Sequence, residues 1–518
     1  MPEARRFPQA RRFTQGGVAT PHYLASATGL AVLADGGNAV DAAVAANLTL
    51  GVVAPYFCGY GGDLFAIVWD GRLHGYLGSG RSPAGISLDA VAAESPTMPV
   101  LGAHTVTVPG APAGWFALLE RWGTRSFGEL AARARRYALE GFEVTAPAGE
   151  IFEGCRHLYA DFPPWLAVYG GVATGAVLRQ PALARTIDRL AAEGPAGYYG
   201  GPVAEAISAA VHAAGGTLAP TDLGSHVGSF VAPLRAPYRD VEIAELPPPT
   251  QGVTALEALR IVDGAPLPPA GAQREHLLVE AMTLALADRE QYVTDPAVME
   301  LSPAELLADE WVEARRDLLD PERARATVHG AGTPGGTAYL CAADGDGVLV
   351  SLIQSNFLAF GSGVHVPEWG INLNNRGSSF TLDPTRANAL APSKFPMHTL
   401  IPAMALRDGE PWLVFGSMGG DAQAQVHLQL MAHLVDDGAD AQPAIDAPRW
   451  RVEPAAGQLM IERRFPGTVL DDLRTRGHAV NETRALDSGM GHAHAILRTR
   501  GGYAIATDPR AEGAALGL

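Results

Sequence analysis

Apolar positions repeat with two different periods along this chain, and the period changes near residue 337. His22 to Val32 is apolar and Ala-rich, a Gly-Gly-Asn turn follows, and Ala39 to Leu48 continues the pattern, which predicts helical structure across 20–50. Asp41 falls early in the second stretch, where its charge suits the helix dipole. Ala66–Trp69 and Leu73–Leu77 are strand-like runs flanking an Asp-Gly, a hairpin signal. Residues 112–150 and 177–215 return to helical spacing, and Leu277–Tyr292 is a strongly amphipathic helix followed by a second helical stretch near Glu305–Leu319. From Thr337 onward short β-rich runs alternate with Gly, Asn and Asp turns. Tyr339–Ala343 and Val348–Ile353 flank the turn Asp344–Gly347, Trp412–Phe415 is a further strand, and one helix is expected near Val426–Val435. No long polar linker divides the chain and no internal repeat is visible. The pattern predicts an α+β protein with sheets sandwiched by helices rather than two independent domains.

With 518 residues, 47% hydrophobic and 18% charged, the chain has enough apolar material for a large core. A net charge of −17 argues against nucleic acid as a partner, since phosphate contacts need a basic surface. Lys394 is the only lysine, so nearly every cation is an arginine, the residue suited to bidentate carboxylate binding. No apolar run approaches the length of a membrane span, and the basic N-terminus lacks the apolar stretch of a secretory signal. Cys58, Cys155 and Cys341 are odd in number and lack metal spacing, which predicts a reducing, cytoplasmic setting. Cys341 lies on the strand that begins at Thr337, yet reads as a small buried hydrophobe.

Thr337 carries the strongest chemical signal. It follows the Pro/Gly-rich run HGAGTPGG and opens a strand. If the Gly336–Thr337 bond breaks, the threonine gains a free α-amine beside its hydroxyl, and that amine can serve as the hydroxyl's base. The competing reading is a threonine at the start of an ordinary hairpin.

Longer stretches decide between the two. GGNAVDAAVAANLTLGVVAP (36–55), CGYGGDLF (58–65), VTVPGAPAGW (106–115), LPPPTQGVTALEAL (246–259), GGTAYLCAADGDGVLVSLIQSN (335–356), INLNNRGSSF (371–380), PMHTLIPAM (396–404), GSMGGD (416–421) and ATDPR (506–510) occur in that order. With these segments the chain resembles the γ-glutamyltranspeptidase family of N-terminal-nucleophile hydrolases along nearly its whole length. The resemblance implies a four-layer αββα sandwich and a proenzyme that cleaves itself before Thr337. The products would be a large subunit, 1–336, and a small subunit, 337–518, which stay associated as one αββα unit, with pairing of such units into a dimer possible. It implies no metal and no organic cofactor.

The same resemblance assigns roles. Thr337 is the nucleophile in both self-cleavage and turnover, and Gly336 is the acyl side of the cleavage site. Gly419 and Gly420 match the oxyanion loop, where glycines let backbone N–H groups turn toward developing charge. Ser355 lies where a hydroxyl supports the nucleophile, and Arg81, in GSGRSPAG, where an arginine grips the donor's α-carboxylate. Asn374, Arg376, Ser379, His398 and Thr399 fall in the segments that line the donor pocket.

Departures from the family pattern bear on the substrate. Where transpeptidases carry Gln or Glu and then Asp to hold the donor's α-ammonium, this chain has Arg376 and Ser379. A cation there repels an ammonium at short range. His398 and Thr399 replace paired serines, and Phe357 replaces an asparagine. The stretch between Phe380 and Pro396 is short, where transpeptidases have a longer lid, and a short lid leaves an acyl-enzyme open to water. These changes point to a small-molecule amide whose acyl part carries a carboxylate but no α-amine, of the oxamate or glutaryl type. The alternatives are a genuine γ-glutamyl transferase or hydrolase acting on glutathione-like amides, and a binding protein of the same fold without turnover. His492 and His494 are close enough for a metal pair but lack a third ligand at matching spacing. Asp508 and Arg510 read as a structural ion pair, and Asp288 and Arg289 as ties from the long helix to its neighbours.

Overall fold

A computed structural model describes residues 9–264, 266–325, 336–454 and 456–518. The Pro/Gly-rich run before Thr337 lies outside the described residues except for Gly336. Two seven-stranded sheets form the centre, and every strand pairing within them is antiparallel. One runs Ala514–Gly517, Gly17–Thr20, Gly336–Ala343, Leu349–Phe357, Asp63–Trp69, Leu73–Gly78, Ser229–Val231. The other runs Arg11–Phe13, Gly502–Thr507, Ala493–Thr499, Glu410–Ser417, Ala403–Arg407, Val241–Glu245, Leu234–Tyr238.

Side chains alternate across the sheets with period two, and each face has its own core. Tyr339, Cys341 and Ile353 of the first sheet meet Met404, Val414 and Ile496 of the second in the central layer. Ala338, Leu340, Val350 and Leu352 point the other way, onto the helices Tyr23–Ala34, Ala39–Val53 and Ala111–Trp122. Ile243, Ala405, Leu413 and Ala495 pack under Gly252–Asp263, Ala272–Tyr292 and Ala422–Met431. The layer order is therefore αββα, as the resemblance implies.

The helices begin where local chemistry starts them. Asn38 caps Ala39–Val53 in a reciprocal box with Asp41, whose carboxylate also takes the Thr124 amide and hydroxyl. The hairpin at Asp63–Trp69 and Leu73–Gly78 and the long helix Ala272–Tyr292 match the sequence pattern. In the last third, the predicted helix begins at Ala422 and ends in a π-helical turn, Ala432–Asp436; Ala441–Asp446 and Gly467–Thr475 are helices the pattern did not single out. Both are short and amphipathic, too brief for apolar spacing to stand out among turns.

Each central sheet interleaves segments from both sides of the Gly336–Thr337 junction. Gly336–Ala343 lies between Gly17–Thr20 and Leu349–Phe357, and Leu349–Phe357 lies against Asp63–Trp69. A cut at that junction would leave the hydrogen-bonded ladders intact.

Candidate active site

Thr337 stands at a break in its own ladder. Gly336 pairs with Phe357 and Ala338 with Gln354, and the register shifts between them, so Thr337 sits in a β-bulge. It is buried. Its Oγ1 donates to Ser355 Oγ at 3.1 Å, and Ser355 Oγ donates in turn to the Gly336 carbonyl at 2.6 Å. The Phe357 amide donates to Ser355 Oγ at 2.7 Å and fixes the serine's orientation. A continuous hydroxyl chain thus runs from Thr337 to the oxygen of the peptide bond that precedes it. Gly336 is required by space: a Cβ there would lie 2.7 Å from the Tyr56 carbonyl and 2.8 Å from the Ala359 amide.

Glu410–Ser417 leads into the glycine loop. Gly416 accepts the Tyr339 ring against its Cα, where a Cβ would come within 2.4 Å of a ring carbon. Gly419 and Gly420 have φ values of +135° and +59°, a left-handed pair that turns backbone amides outward. Among the described residues neither of those two amides donates a hydrogen bond to the protein. The Gly420 carbonyl is held by Gln251 Nε2 at 3.0 Å, which also holds the Thr399 carbonyl at 3.0 Å. Arg289 then fixes Gln251 Oε1 at 2.7 Å and Asp421 at 2.6 Å. Gln251 was missed by the sequence reading, although it lies in the quoted segment LPPPTQG. One amide clamps the glycine loop to the segment carrying His398 and Thr399.

Arg376 is the unusual charge of this region. It is fully buried, stacks over the Phe357 ring at 3.9 Å, and donates from Nη1 to Thr399 Oγ1 at 3.1 Å. Among the described residues its Nε and Nη2 have no hydrogen-bond partner. Burial pulls its pKa down to about 9, against the favourable fields of Asp63 and Asp421. Asp63, also missed by the sequence reading, begins the strand across from Ser355. Its Oδ2 lies 3.0 Å from His398 Nε2. Burial pushes the Asp63 carboxyl up to about 7, opposed by Arg376 and by the Gly80 and Gly110 amides. His398 is buried against Phe65, and burial, aided by Arg376, holds its pKa well below the usual imidazole value.

A small pocket of about 50 Å³ adjoins this group, and Phe357, Ser379, Thr399 and Asp421 line it. Asn388 and Met397, from the short stretch after Phe380, form part of its wall. Ser379 Oγ donates back to the Arg376 carbonyl at 2.8 Å. Asn374 spends its side chain inside the protein: Oδ1 accepts from Thr107 Oγ1 and the Arg376 amide, and Nδ2 donates to Gly61 and Thr107 carbonyls. It shapes the Arg376 segment. Arg81 is placed differently from the rest. Its guanidinium stacks on Phe395 and bonds Asp295 at 3.0 Å and the Ser393 carbonyl at 2.8 Å, with 47% of the side chain exposed. Both bonds come from Nη1, and none of those partners belongs to the Thr337–Ser355–Arg376 group.

The remaining candidates have structural partners. His492 bonds Ser488 and His494 bonds Thr507, each separately. Arg510 bridges Glu462 and Asp508, Asp288 pairs with Arg315, and Arg289 belongs to the pocket wall. All three cysteines are free and buried, and burial raises the Cys341 thiol far above its usual range.

The chain has relatives among known proteins. The family model described as gamma-glutamyltranspeptidase matches residues 25–518. The chain is 36% identical to the oxamate amidohydrolase proenzyme of Klebsiella pneumoniae subsp. pneumoniae, over 97% of this chain and 98% of that one. It is 34% identical to the glutathione hydrolase-like YwrD proenzyme of Bacillus subtilis, again over 97% and 98%. The crystal structure of cephalosporin acylase from Bacillus halodurans superposes with a TM-score of 0.93 at 37% identity, covering 100% of this chain and 99% of that one.

Proposed function

Since the chain belongs to the γ-glutamyltranspeptidase family, and so is an N-terminal-nucleophile enzyme of the amidohydrolase and acyltransferase kind, we propose that it cleaves itself before Thr337 and then hydrolyses a small amide whose acyl part bears a carboxylate. The observation that carries the substrate reading is Arg376, a buried guanidinium with two nitrogens unpartnered beside the pocket. Such a group lowers its own desolvation cost by taking a carboxylate.

Self-cleavage follows from the hydroxyl chain. Thr337 Oγ1 attacks the Gly336 carbonyl carbon and gives its proton to Ser355 Oγ, while Ser355 gives its own proton to the carbonyl oxygen. Collapse of the tetrahedral centre breaks the C–N bond as the new hydroxyl's proton passes to the leaving nitrogen, which re-forms the carbonyl and leaves Gly336 esterified to Thr337 with a free α-amine. Water hydrolyses the ester, giving residues 1–336 and 337–518. In turnover the Thr337 amine takes the proton as Oγ1 attacks the substrate amide and returns it to the leaving amine. The Gly419 and Gly420 amides serve as oxyanion donors, a role in which one donor is typically worth about 3 kcal/mol. Arg376, assisted by Ser379 and Thr399, holds the acyl carboxylate, and the small pocket favours a short acyl chain such as oxamate's. Arg81 is a second candidate for the carboxylate, with Nη1 bonded to Asp295 and Ser393 and 47% of its side chain exposed. Three buried free cysteines support a cytoplasmic setting, and no described helix is long and apolar enough to cross a membrane.

A second reading has its own observation. Asp421 and Glu290 line the pocket, and a carboxylate there suits the α-ammonium of a γ-glutamyl donor. Both are paired with Arg289 at 2.6 Å, which spends much of their charge.

The test is a denaturing mass spectrum of the purified protein beside Thr337→Ala. Two wild-type fragments with a new N-terminus at Thr337, and one intact variant chain, establish the nucleophile. A single intact wild-type chain removes the amine base and the mechanism with it. Rates on oxamate and on a γ-glutamyl anilide, with and without a dipeptide acceptor, then separate the two substrate readings.

A further inference from the structure

Far from Thr337 in sequence, the helix Ala272–Tyr292 carries His276 and Glu280 one turn apart, both buried. His478 meets them from the loop after the helix Gly467–Thr475. Among the described residues these three are the one group of His, Cys, Asp or Glu side chains whose ligand atoms all lie within 4.8 Å of one another. His276 Nδ1 lies 2.7 Å from His478 Nε2. We propose that His276, Glu280 and His478 bind one divalent transition-metal ion, with Zn²⁺ the best fit to two imidazoles and a carboxylate.

The surroundings are those of a prepared ligand set. His276 Nε2–H donates to the Asp320 carbonyl at 2.7 Å, which leaves the lone pair on Nδ1, facing the other two groups. Glu280 Oε2 accepts the Arg325 amide at 3.1 Å, which orients the carboxylate and leaves its second oxygen for a metal. Without metal, His478 Nε2–H donates to His276 Nδ1; on binding, that proton moves to His478 Nδ1 and Nε2 turns its lone pair to the ion. Tetrahedral bonds of about 2.1 Å require the two nitrogens to stand roughly 3.4 Å apart, so the pair must open by about 0.7 Å. His478 follows Gly477, which has φ +103°, on a partly exposed loop that can supply this movement and admit a water as fourth ligand.

The location gives the ion a second consequence. Asp320 and Arg325 belong to the segment that runs toward the Thr337 junction, and Ala324 N donates to the Arg476 carbonyl at 2.8 Å. On the cleavage reading above, His276 and Glu280 fall in the large product and His478 in the small one, so the metal would join the two. Metal binding itself does not depend on that reading.

The test uses the full protein, cleaved or not, stripped with a chelator and titrated with Co²⁺ followed by visible absorption, then back-titrated with Zn²⁺. One Co²⁺ per chain, displaced by one Zn²⁺, is expected. Glu280→Gln and His478→Ala should each weaken binding about tenfold or more, while His212→Ala, on an exposed helix face elsewhere, should not change it. Saturating Zn²⁺ should also raise the unfolding temperature of wild type and leave that of His478→Ala unmoved. Absence of binding tighter than about 100 μM, or wild-type affinity in the two ligand variants, overturns the site.

Discussion

Replacing Arg376 by glutamine separates a substrate-binding charge from a structural one, because the two roles predict opposite effects on stability. The guanidinium makes one protein hydrogen bond, to Thr399 Oγ1, and one stacking contact, with Phe357. Losing them costs about 1 kcal/mol for the hydrogen bond and up to about 2 kcal/mol for the desolvated cation–π contact. Against that, the variant no longer buries an incompletely paired cation, a penalty of several kcal/mol. Net stability should therefore hold or rise. Binding should move the other way. A charge-assisted hydrogen bond to a carboxylate is worth about 1.5–3 kcal/mol, so KM for oxamate should rise roughly 10- to 150-fold. An uncharged amide of the same size should change by less than about threefold. The assay is initial-rate ammonia release over a range of each substrate, with denaturant unfolding of both proteins. An unchanged KM for oxamate refutes the carboxylate role. A marked loss of stability shows instead that Asp63 and Asp421 need Arg376 as their counter-charge.

Ser355→Ala removes the relay between Thr337 and the Gly336 carbonyl while leaving the nucleophile, so self-cleavage followed on denaturing gels should slow by about 10²- to 10⁴-fold; cleavage at the wild-type rate would mean the serine is only a spacer. Gln251→Ala unclamps the Gly420 and Thr399 carbonyls together, and should lower kcat on oxamate by about tenfold or more with little change in the extent of processing; equal losses in both would mark a folding defect. The Asp63–His398 pair gives a pH signature. Asp63, raised to about 7, favours the folded state less as pH climbs from about 4 to 7, while His398, held low, favours it less as pH falls below about 6.5. Their slopes oppose each other between about pH 4 and 6.5. His398→Gln removes one of them, so the variant's urea midpoint, relative to wild type, should fall as pH rises through that window; parallel profiles would refute the pairing.

The layered architecture and the strand-opening position of Thr337 were legible because both are written locally. Period-two alternation at Tyr339–Ala343 and Val348–Ile353, the Asp-Gly hairpin and the 272–292 helix need only neighbours in sequence to declare themselves. The pocket was legible in residue type more than in arrangement. Ser355 and Arg376 stand where the quoted segments put them. Asp63 and Gln251 lay inside quoted segments without drawing notice, since their importance comes from partners 335 and 148 residues away. Arg81 shows the opposite limit. Its residue type suits a carboxylate, and what the sequence does not show is that Asp295, 214 positions along the chain, bonds its Nη1 while 47% of the side chain stays exposed.

The proposed carboxylate role of Arg376 also implies a pH dependence of substrate choice. Asp63 faces it from the strand paired with Leu349–Phe357, and Asp421 from the glycine loop, and both raise its pKa against the pull of burial. His398, which takes Asp63's other interaction, stays neutral, so Arg376 faces the carboxylate of Asp421 and, only when it is deprotonated, that of Asp63. With Asp63 pushed up to about 7, a proton on that carboxyl near neutral pH leaves Arg376 with less internal compensation. An arriving carboxylate restores it. An arriving ammonium would have to face Arg376 at the same wall, with Asp421 already committed to Arg289 at 2.6 Å. On the proposed reading the selectivity for an anionic acyl group should be sharpest where Asp63 is protonated, weakening as pH rises past about 7; a pH-independent preference between oxamate and a γ-glutamyl amide would refute it.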